Sequence, residues 1–307
     1  MKGLVMKSTG SWYSVLTDDG QIYPARLRGK FKIRGLKVTN PVAVGDQVVV
    51  KEENDEENTA VITEILSREN YIIRKSTRKA HHGHILAANI DQAVLIATLV
   101  FPRTSLGFID RFLVSAESFR IPALLVFNKF DLLDEDQQEL QAAIMDLYEQ
   151  VGYSCLSISA LNTADIDLLR KHLNGKVSLF SGHSGVGKST ILNQVHPSIQ
   201  QKTSEVSTFA NKGVHTTTYA EMFQIEDETF VIDTPGIKEL GLMDINEGEL
   251  RDYFPEMRAL LGECKFYDCT HVHEPGCAVR EAVNANEIDE SRYYNYLSML
   301  EDEDSHR

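Results

Sequence analysis

The chain has 307 residues, 42% hydrophobic and 25% charged, with a formal net charge of −14. That balance fits a globular protein of two or three domains and excludes a disordered chain, a collagen-like fibre or a disulfide-dense miniprotein. No run approaches the ~18 apolar residues of a transmembrane helix, and residues 1–16 lack a signal-peptide core, so a cytoplasmic protein without membrane contact is expected.

Residues 1–67 read as β. Runs at 3–6, 12–16, 21–27, 47–51 and 59–65 are rich in Val, Ile, Tyr and Thr, and Asp18-Asp19-Gly20, Asn40-Pro41 and Gly45-Asp46 punctuate them. Short strands so closely spaced suit a small barrel of the OB type, with an SH3-like barrel as the alternative. Residues 21–45 contain no acid but carry Arg26, Arg28, Lys30, Lys32, Arg34 and Lys37. A basic face on an acidic chain points to a polyanion, so Arg26, Arg28, Lys30, Lys32 and Arg34 are the candidate RNA-binding residues. Plain solvated charge is the competing reading.

Residues 68–88 carry a second basic run, Arg68, Arg74, Lys75, Arg78 and Lys79, with His81, His82 and His84, and read as a linker or mobile loop. From Asn89 the pattern turns to α/β alternation. Strands are expected at 92–100, 123–128, 154–159, 176–181 and 230–233, and helices at 108–119, 135–151, 166–173 and from 189. Helix 135–151 is read with Leu140, Ile144 and Leu147 on one face. Strands covered by helices form a mostly parallel sheet with its ligand at the strand C-termini. After Gly241 a mostly helical tail is interrupted by a cysteine cluster. The expected division is 1–67, 68–241 and 242–307.

Five segments carry the nucleotide chemistry. Gly182-His183-Ser184-Gly185-Val186-Gly187-Lys188-Ser189 is a full G-x-x-x-x-G-K-[ST], follows an apolar strand and opens a helix. Its backbone N–H groups and helix N-terminus suit phosphate oxygens, Lys188 neutralises them, and Ser189, followed by Thr190, suits Mg²⁺. Asn128-Lys129-Phe130-Asp131 has the N-K-x-D form at a strand end. The Asp131 carboxylate can accept from N1–H and N2–H₂ of guanine, which adenine does not offer. Ser159-Ala160 ends the next strand and suits a backbone contact to the base. Asp233-Thr234-Pro235-Gly236 supplies Asp233 to the Mg²⁺ shell and the Gly236 N–H to the γ-phosphate. Thr216-Thr217-Thr218 lies between, and Thr217 is assigned to Mg²⁺, although a strand start also explains the threonines.

The motif order is rotated. Ordinary GTPases run from P-loop to N-K-x-D and S-A, whereas here N-K-x-D and S-A come first, as in a circular permutation. Ile237 stands where Ras-like enzymes carry a water-positioning Gln. His215, just before the threonines, is the nearest candidate to take that role, with an exposed loop residue as the bland reading. Gly185 occupies the position where potassium-activated relatives carry Asn. In the tail, Cys264, Cys269 and Cys277 with His271 or His273 make a Cys₃His set, the closed form of a structural zinc site.

The rotated motifs together with Cys264-x₄-Cys269-x-His271-x₅-Cys277 resemble the RsgA (YjeQ) family over essentially the whole chain. The resemblance selects His271 as fourth ligand. It implies an OB-type β-barrel, a circularly permuted α/β P-loop GTPase domain and a mostly helical zinc-binding region. It also implies a GTP hydrolase using GTP and Mg²⁺, one Zn²⁺ per chain, and binding to the 30S ribosomal subunit and its 16S rRNA in late maturation. A monomer is expected, with Lys188, Thr217 and His215 as the catalytic group. The rivals are an ATPase or nucleotide kinase, and an RNA-binding assembly scaffold with a weak or vestigial nucleotide site.

Overall fold

A computed structural model of the chain describes residues 1–28, 40–54, 59–75, 83–196, 220–233 and 247–304. β1 (Lys2–Ser8), β2 (Tyr13–Thr17), β3 (Ile22–Leu27), β4 (Gln47–Asn54) and β5 (Thr59–Ile65) form a closed barrel in the order β1-β2-β3-β5-β4, with β4 returning to β1. β3 and β5 run parallel (Ala25↔Ala60) and the other pairs are antiparallel. This Greek-key closure is the OB arrangement and displaces the SH3-like alternative. Alternation drives it: Tyr13, Val15 and Thr17 of β2 are buried while Ser14 and Leu16 are half-buried. Val5, Tyr23, Val48 and Ile62 complete one apolar interior.

The expected linker is instead a hairpin, β6 (Tyr71–Lys75) against β7 (Gly83–Ala88). Its apolar residues Ile72 and Ala87 enter the main core, a signal hidden in sequence by the flanking basic and histidine residues. Arg68 is no part of a basic face. Its guanidinium donates to both carboxylate oxygens of the fully buried Asp46 (2.6 Å each) and to the Pro41 carbonyl.

The second half of the sheet contains β8 (Gln92–Ala97), β9 (Ala123–Phe127), β10 (Ser154–Ser157), β11 (Val177–Ser181), β12 (Glu221–Glu226) and β13 (Thr229–Asp233). The order is β10-β9-β8-β11-β13-β12, parallel except for β12. All six β8 residues are buried, as a central parallel strand demands. Helices α1 (Leu106–Ser118), α2 (Glu135–Val151), α3 (Thr163–Leu173) and α4 (Lys188–Val195) cover the two faces. Asp134 opens α2 through a capping box with Gln137. The α2 face differs from the expected one: Gln141 and Tyr148 are buried and Ile144 packs on the core, while Leu140 is 50% exposed. β12 pairs with β1 at Lys7↔Glu221, so barrel and sheet are continuous.

The tail holds short helices α5 (Glu247–Leu250) and α6 (Pro255–Arg258), then α7 (Ala278–Asn284) and α8 (Glu290–Asp304). Its core of Phe254, Met257, Val279, Tyr296 and Met299 borrows Val114 from α1. Arg292 of α8, 1% exposed, bonds Asp110 of α1 (2.6 Å) and Glu256 (2.8 and 3.0 Å). Asp110 also accepts from Tyr148 and Asn295. Burial pushes the Asp110 carboxyl upward, and the Arg292 charge opposes that push. No described helix is long and apolar enough to cross a membrane.

Candidate functional site

Three loops meet at the C-terminal ends of β9, β10 and β11. Asn128, buried, joins them. Its Nδ2 donates to the Val186 carbonyl of the P-loop (2.8 Å), and its Oδ1 accepts from Ala160 N–H (3.0 Å). Gly187 begins α4 at φ +96°, and a Cβ there would collide with the Asn128 amide, so this position requires glycine on two counts. Gly182, at φ +153°, sits where a Cβ would lie 2.5 Å from the Ile96 carbonyl oxygen. The P-loop therefore packs against the Ile96 backbone on one side and the Asn128 side chain on the other, and a loop of this form leading into a helix suits an anion.

Lys129 stands in left-handed backbone (φ +68°) and sends its ammonium to the Gly185 carbonyl (2.7 Å) and the Phe101 carbonyl (2.5 Å). Burial lowers its pKa, opposed by the nearby Asp131 charge. Asp131 is exposed on the short 3₁₀ turn Phe130–Leu132, where its carboxylate is open to an incoming pair of donors. Ser159 is buried, with its N–H held by Asp165 (2.7 Å) and its hydroxyl accepting from Leu161 N–H (3.3 Å). Sequence reading missed Asp165, although Asn162-x-x-Asp165 at a helix start is a recognisable capping pattern.

Lys188 forms an ion pair with Asp233 across β11 and β13. The two side chains are 16% and 3% exposed, so a phosphate entering the loop must compete for a lysine already neutralised. Ser184 and Gly185 are exposed at the mouth, Val186 is fully buried, and Ser189 and Thr190 lie half-buried on the first turn of α4. His183 stacks on Phe108 of α1 (ring centroids 3.8 Å apart), a contact with no sequence signal. His215, Thr217, Gly236 and Ile237 lie outside the described residues, as do Lys30, Lys32 and Arg34. On the barrel, Arg28 is exposed, and Arg26 makes an exposed ion pair with Glu53 (2.7 Å), weak enough to exchange for a phosphate.

The second cluster lies in the tail. The ligand atoms of Cys264, Cys269, His271 and Cys277 are all within 4.8 Å of one another. His271 Nδ1 faces the sulfurs, 3.3 Å from Cys277 Sγ and 3.6 Å from Cys264 Sγ, while its Nε2 is buried without a partner. Burial pushes the Cys269 thiol up to about 12 and raises Cys277 as well. Thiols so placed ionise only beside a cation, and a closed Cys₃His set fits a tetrahedral, sulfur-seeking one. The remaining turn is shaped by Glu274, which sequence reading passed over. Its carboxylate accepts from the Thr270 N–H and hydroxyl (2.7 and 2.6 Å) and from the Val272 and His273 N–H groups (3.1 Å each). Burial alone would raise that carboxyl, but these donors hold it at about 2. The turn sets His271 at φ +63° and leaves His273 exposed, so His271 is the histidine that faces the sulfurs. Tyr293 and Tyr296 of α8 donate to the His271 and Thr270 carbonyls (2.6 and 2.7 Å).

Comparison with known proteins agrees at every level. The family model for the RsgA N-terminal domain matches residues 2–62 and that for the RsgA GTPase matches 65–243. A small ribosomal subunit biogenesis GTPase RsgA 2 of Bacteroides thetaiotaomicron is 52% identical over 304 residues, 99% of this chain and 97% of the relative. A small ribosomal subunit biogenesis GTPase RsgA of Cytophaga hutchinsonii is 51% identical over the full length of both. The crystal structure of YjeQ from Thermotoga maritima superposes with a TM-score of 0.79 at 35% identity, over 98% of this chain and 97% of that one. YloQ, described as a circularly permuted GTPase, gives 0.77 at 29% identity, over 100% and 96%. With its rotated motifs folded into the sheet order of a GTPase and a Cys₃His cluster closing the tail, the chain belongs to the RsgA GTPase family.

Proposed function

We propose that this chain hydrolyses GTP to GDP and phosphate on the 30S subunit during small-subunit maturation, in the cytoplasm and as a monomer. The observation that carries the reading is the convergence of the base and phosphate loops on Asn128. Guanine is recognised by Asp131, beside Lys129 and Phe130, with Ser159 and Ala160 closing the base edge. Gly182, His183, Ser184, Gly185, Val186, Gly187, Lys188, Ser189 and Thr190 take the phosphates, with Gly236 on the γ-phosphate. Lys188 leaves Asp233 for the phosphate oxygens when nucleotide binds. Ser189, Asp233 and Thr217 would hold Mg²⁺, which spreads the charge that develops in phosphoryl transfer. With Ile237 offering no amide, His215 orients the attacking water. Cys264, Cys269, His271 and Cys277 hold one zinc. The names of the relatives support the ribosomal partner, and Arg26 and Arg28, with Lys30, Lys32 and Arg34, are the barrel's contact with 16S rRNA. The functional divisions fall near residues 67 and 241.

One assay tests the core of this. GTP turnover is measured with and without purified 30S subunits, for the wild type and for Asp131→Asn. The subunit is expected to stimulate the wild type. The variant should lose GTP affinity by several kcal/mol and gain xanthosine triphosphate, whose O2 can accept from the new amide. Unchanged GTP affinity in the variant removes the guanine assignment.

A further inference from the structure

The loop from Thr98 to Ser105, between β8 and α1, presents an aromatic ring to solvent beside the nucleotide loops. Phe101 is 72% exposed, and its φ is +50°, a region that disfavours any residue with a Cβ. The turn is fixed from several sides. Thr98 and Thr104 exchange hydrogen bonds, Thr98 N–H to Thr104 Oγ1 (3.1 Å) and Thr104 N–H to the Thr98 carbonyl (2.8 Å). The Thr98 hydroxyl donates to the Pro102 carbonyl, and Lys129 Nζ donates to the Phe101 carbonyl. A large apolar side chain thus occupies a glycine-like position and points away from the core, which folding does not explain.

The loop that carries the ring holds no acid of its own. No Asp or Glu occurs from residue 98 to 109 in a chain of net charge −14, and Arg103 is exposed two residues on. An exposed ring with an exposed arginine two residues on suits an unpaired nucleobase and its phosphate. We propose that Phe101 is a stacking platform for an unpaired base of RNA, with Arg103 on the adjacent phosphate. The contact reaches the P-loop through Lys129, whose ammonium is shared by the Phe101 and Gly185 carbonyls. A base held on Phe101 fixes that shared lysine and, with it, the loop that binds phosphate. The proposal rests on the small-subunit reading above and names the kind of contact made beside the nucleotide site.

The test uses the full chain with Phe101→Gly, Phe101→Trp and Arg103→Glu, protein-free 16S rRNA, and purified 30S subunits. Glycine suits the left-handed turn, so Phe101→Gly should fold at least as well as the wild type. It is expected to bind rRNA about tenfold more weakly, the loss of one stacked base. Its kcat at saturating subunit should fall as well, with GTP affinity and basal turnover unchanged. Phe101→Trp should restore both, and Arg103→Glu should weaken rRNA binding and flatten its salt dependence. Wild-type rRNA affinity in Phe101→Gly overturns the proposal. Loss of subunit binding with rRNA binding intact also overturns it, in favour of a ribosomal protein. If subunits fail to stimulate even the wild type, the functional reading fails, while the rRNA measurement still decides the stacking.

Discussion

The barrel and the C-terminal segment flank the same GTPase sheet and are fastened to it by different means. The barrel has its own apolar interior and meets the sheet at one strand pair, where Lys7 and Glu221 form an ion pair (2.9 Å) with each side chain about one-third exposed; beside that pair it lends Met6 and Val44 to the main core, and the Val44 and Gly45 carbonyls accept from Ala88 N–H and Asn89 Nδ2 (2.9 Å each). The C-terminal segment completes its core with Val114 of α1 and sinks Arg292 onto Asp110, both essentially inaccessible. A segment with a self-sufficient core needs to lend its neighbour only a few apolar residues and backbone groups. A segment without one shares a neighbour's core, buries charge at the joint and gathers its loops round a Cys₃His cluster.

That contrast can be broken in three places. The largest effect is expected from Cys269→Ser. Structural metal binding supplies folding energy directly, so metal analysis should find the ion lost and hydrogen exchange should find residues 260–280 unprotected. Nucleotide binding should persist, because Asn128 and the P-loop take no support from that cluster. Retention of one metal per chain with normal protection would contradict the assignment of Cys269 as a ligand. Next comes the buried joint. Arg292→Met removes one partner and leaves Asp110 and Glu256 facing each other, at a cost of about 3–5 kcal/mol in denaturant unfolding. Asp110→Asn, which leaves the arginine uncompensated on that side, should be comparably severe; a cost below ~1 kcal/mol in both would mean that the joint holds without its charges. The smallest effect belongs to the barrel edge. Lys7→Ala should change stability by under ~1 kcal/mol and lose what effect it has in high salt, as a screened surface pair does. A loss as large as that of Arg292→Met would show that the barrel depends on this edge after all.

Legibility in the sequence followed the same divide. Motifs that touch a ligand declare themselves, because phosphate, guanine and a tetrahedral cation each demand fixed residue types at fixed spacing. Asn128, Gly187, Lys188 and the three tail cysteines stood out for that reason, whereas His271 was preferred to His273 only through the family resemblance. The barrel was readable because its strands alternate cleanly and its turns are marked. Residues that answer only to tertiary partners were not. Arg292 and Asp110 are charges among many until α8 meets α1, and Arg68 passed as surface charge because Asp46 sits 22 residues earlier in the chain. β12 lacks a strong apolar run, since only Met222 and Ile225 are buried in it. Leu140 misled in the other direction: its periodicity was right for a helix, but the buried face of α2 is set by Gln141 and Tyr148, one position round.

The place of β11 between β8 and β13 bears on how the chain leaves the ribosome that makes it. Synthesis delivers β8, β9 and β10 with their three helices first, and these strands pair with one another in chain order. The half that carries N-K-x-D can therefore assemble early, but the far edge of β8, apolar from Ala93 to Ala97, stays open until β11 emerges. Such an edge invites pairing with another chain. β13 arrives later still, so the lysine of the P-loop has no Asp233 to rest on until most of the protein has been made. Rotating the motifs thus separates the two halves of nucleotide recognition in time and makes closure of the sheet, rather than its nucleation, the vulnerable step of biosynthesis.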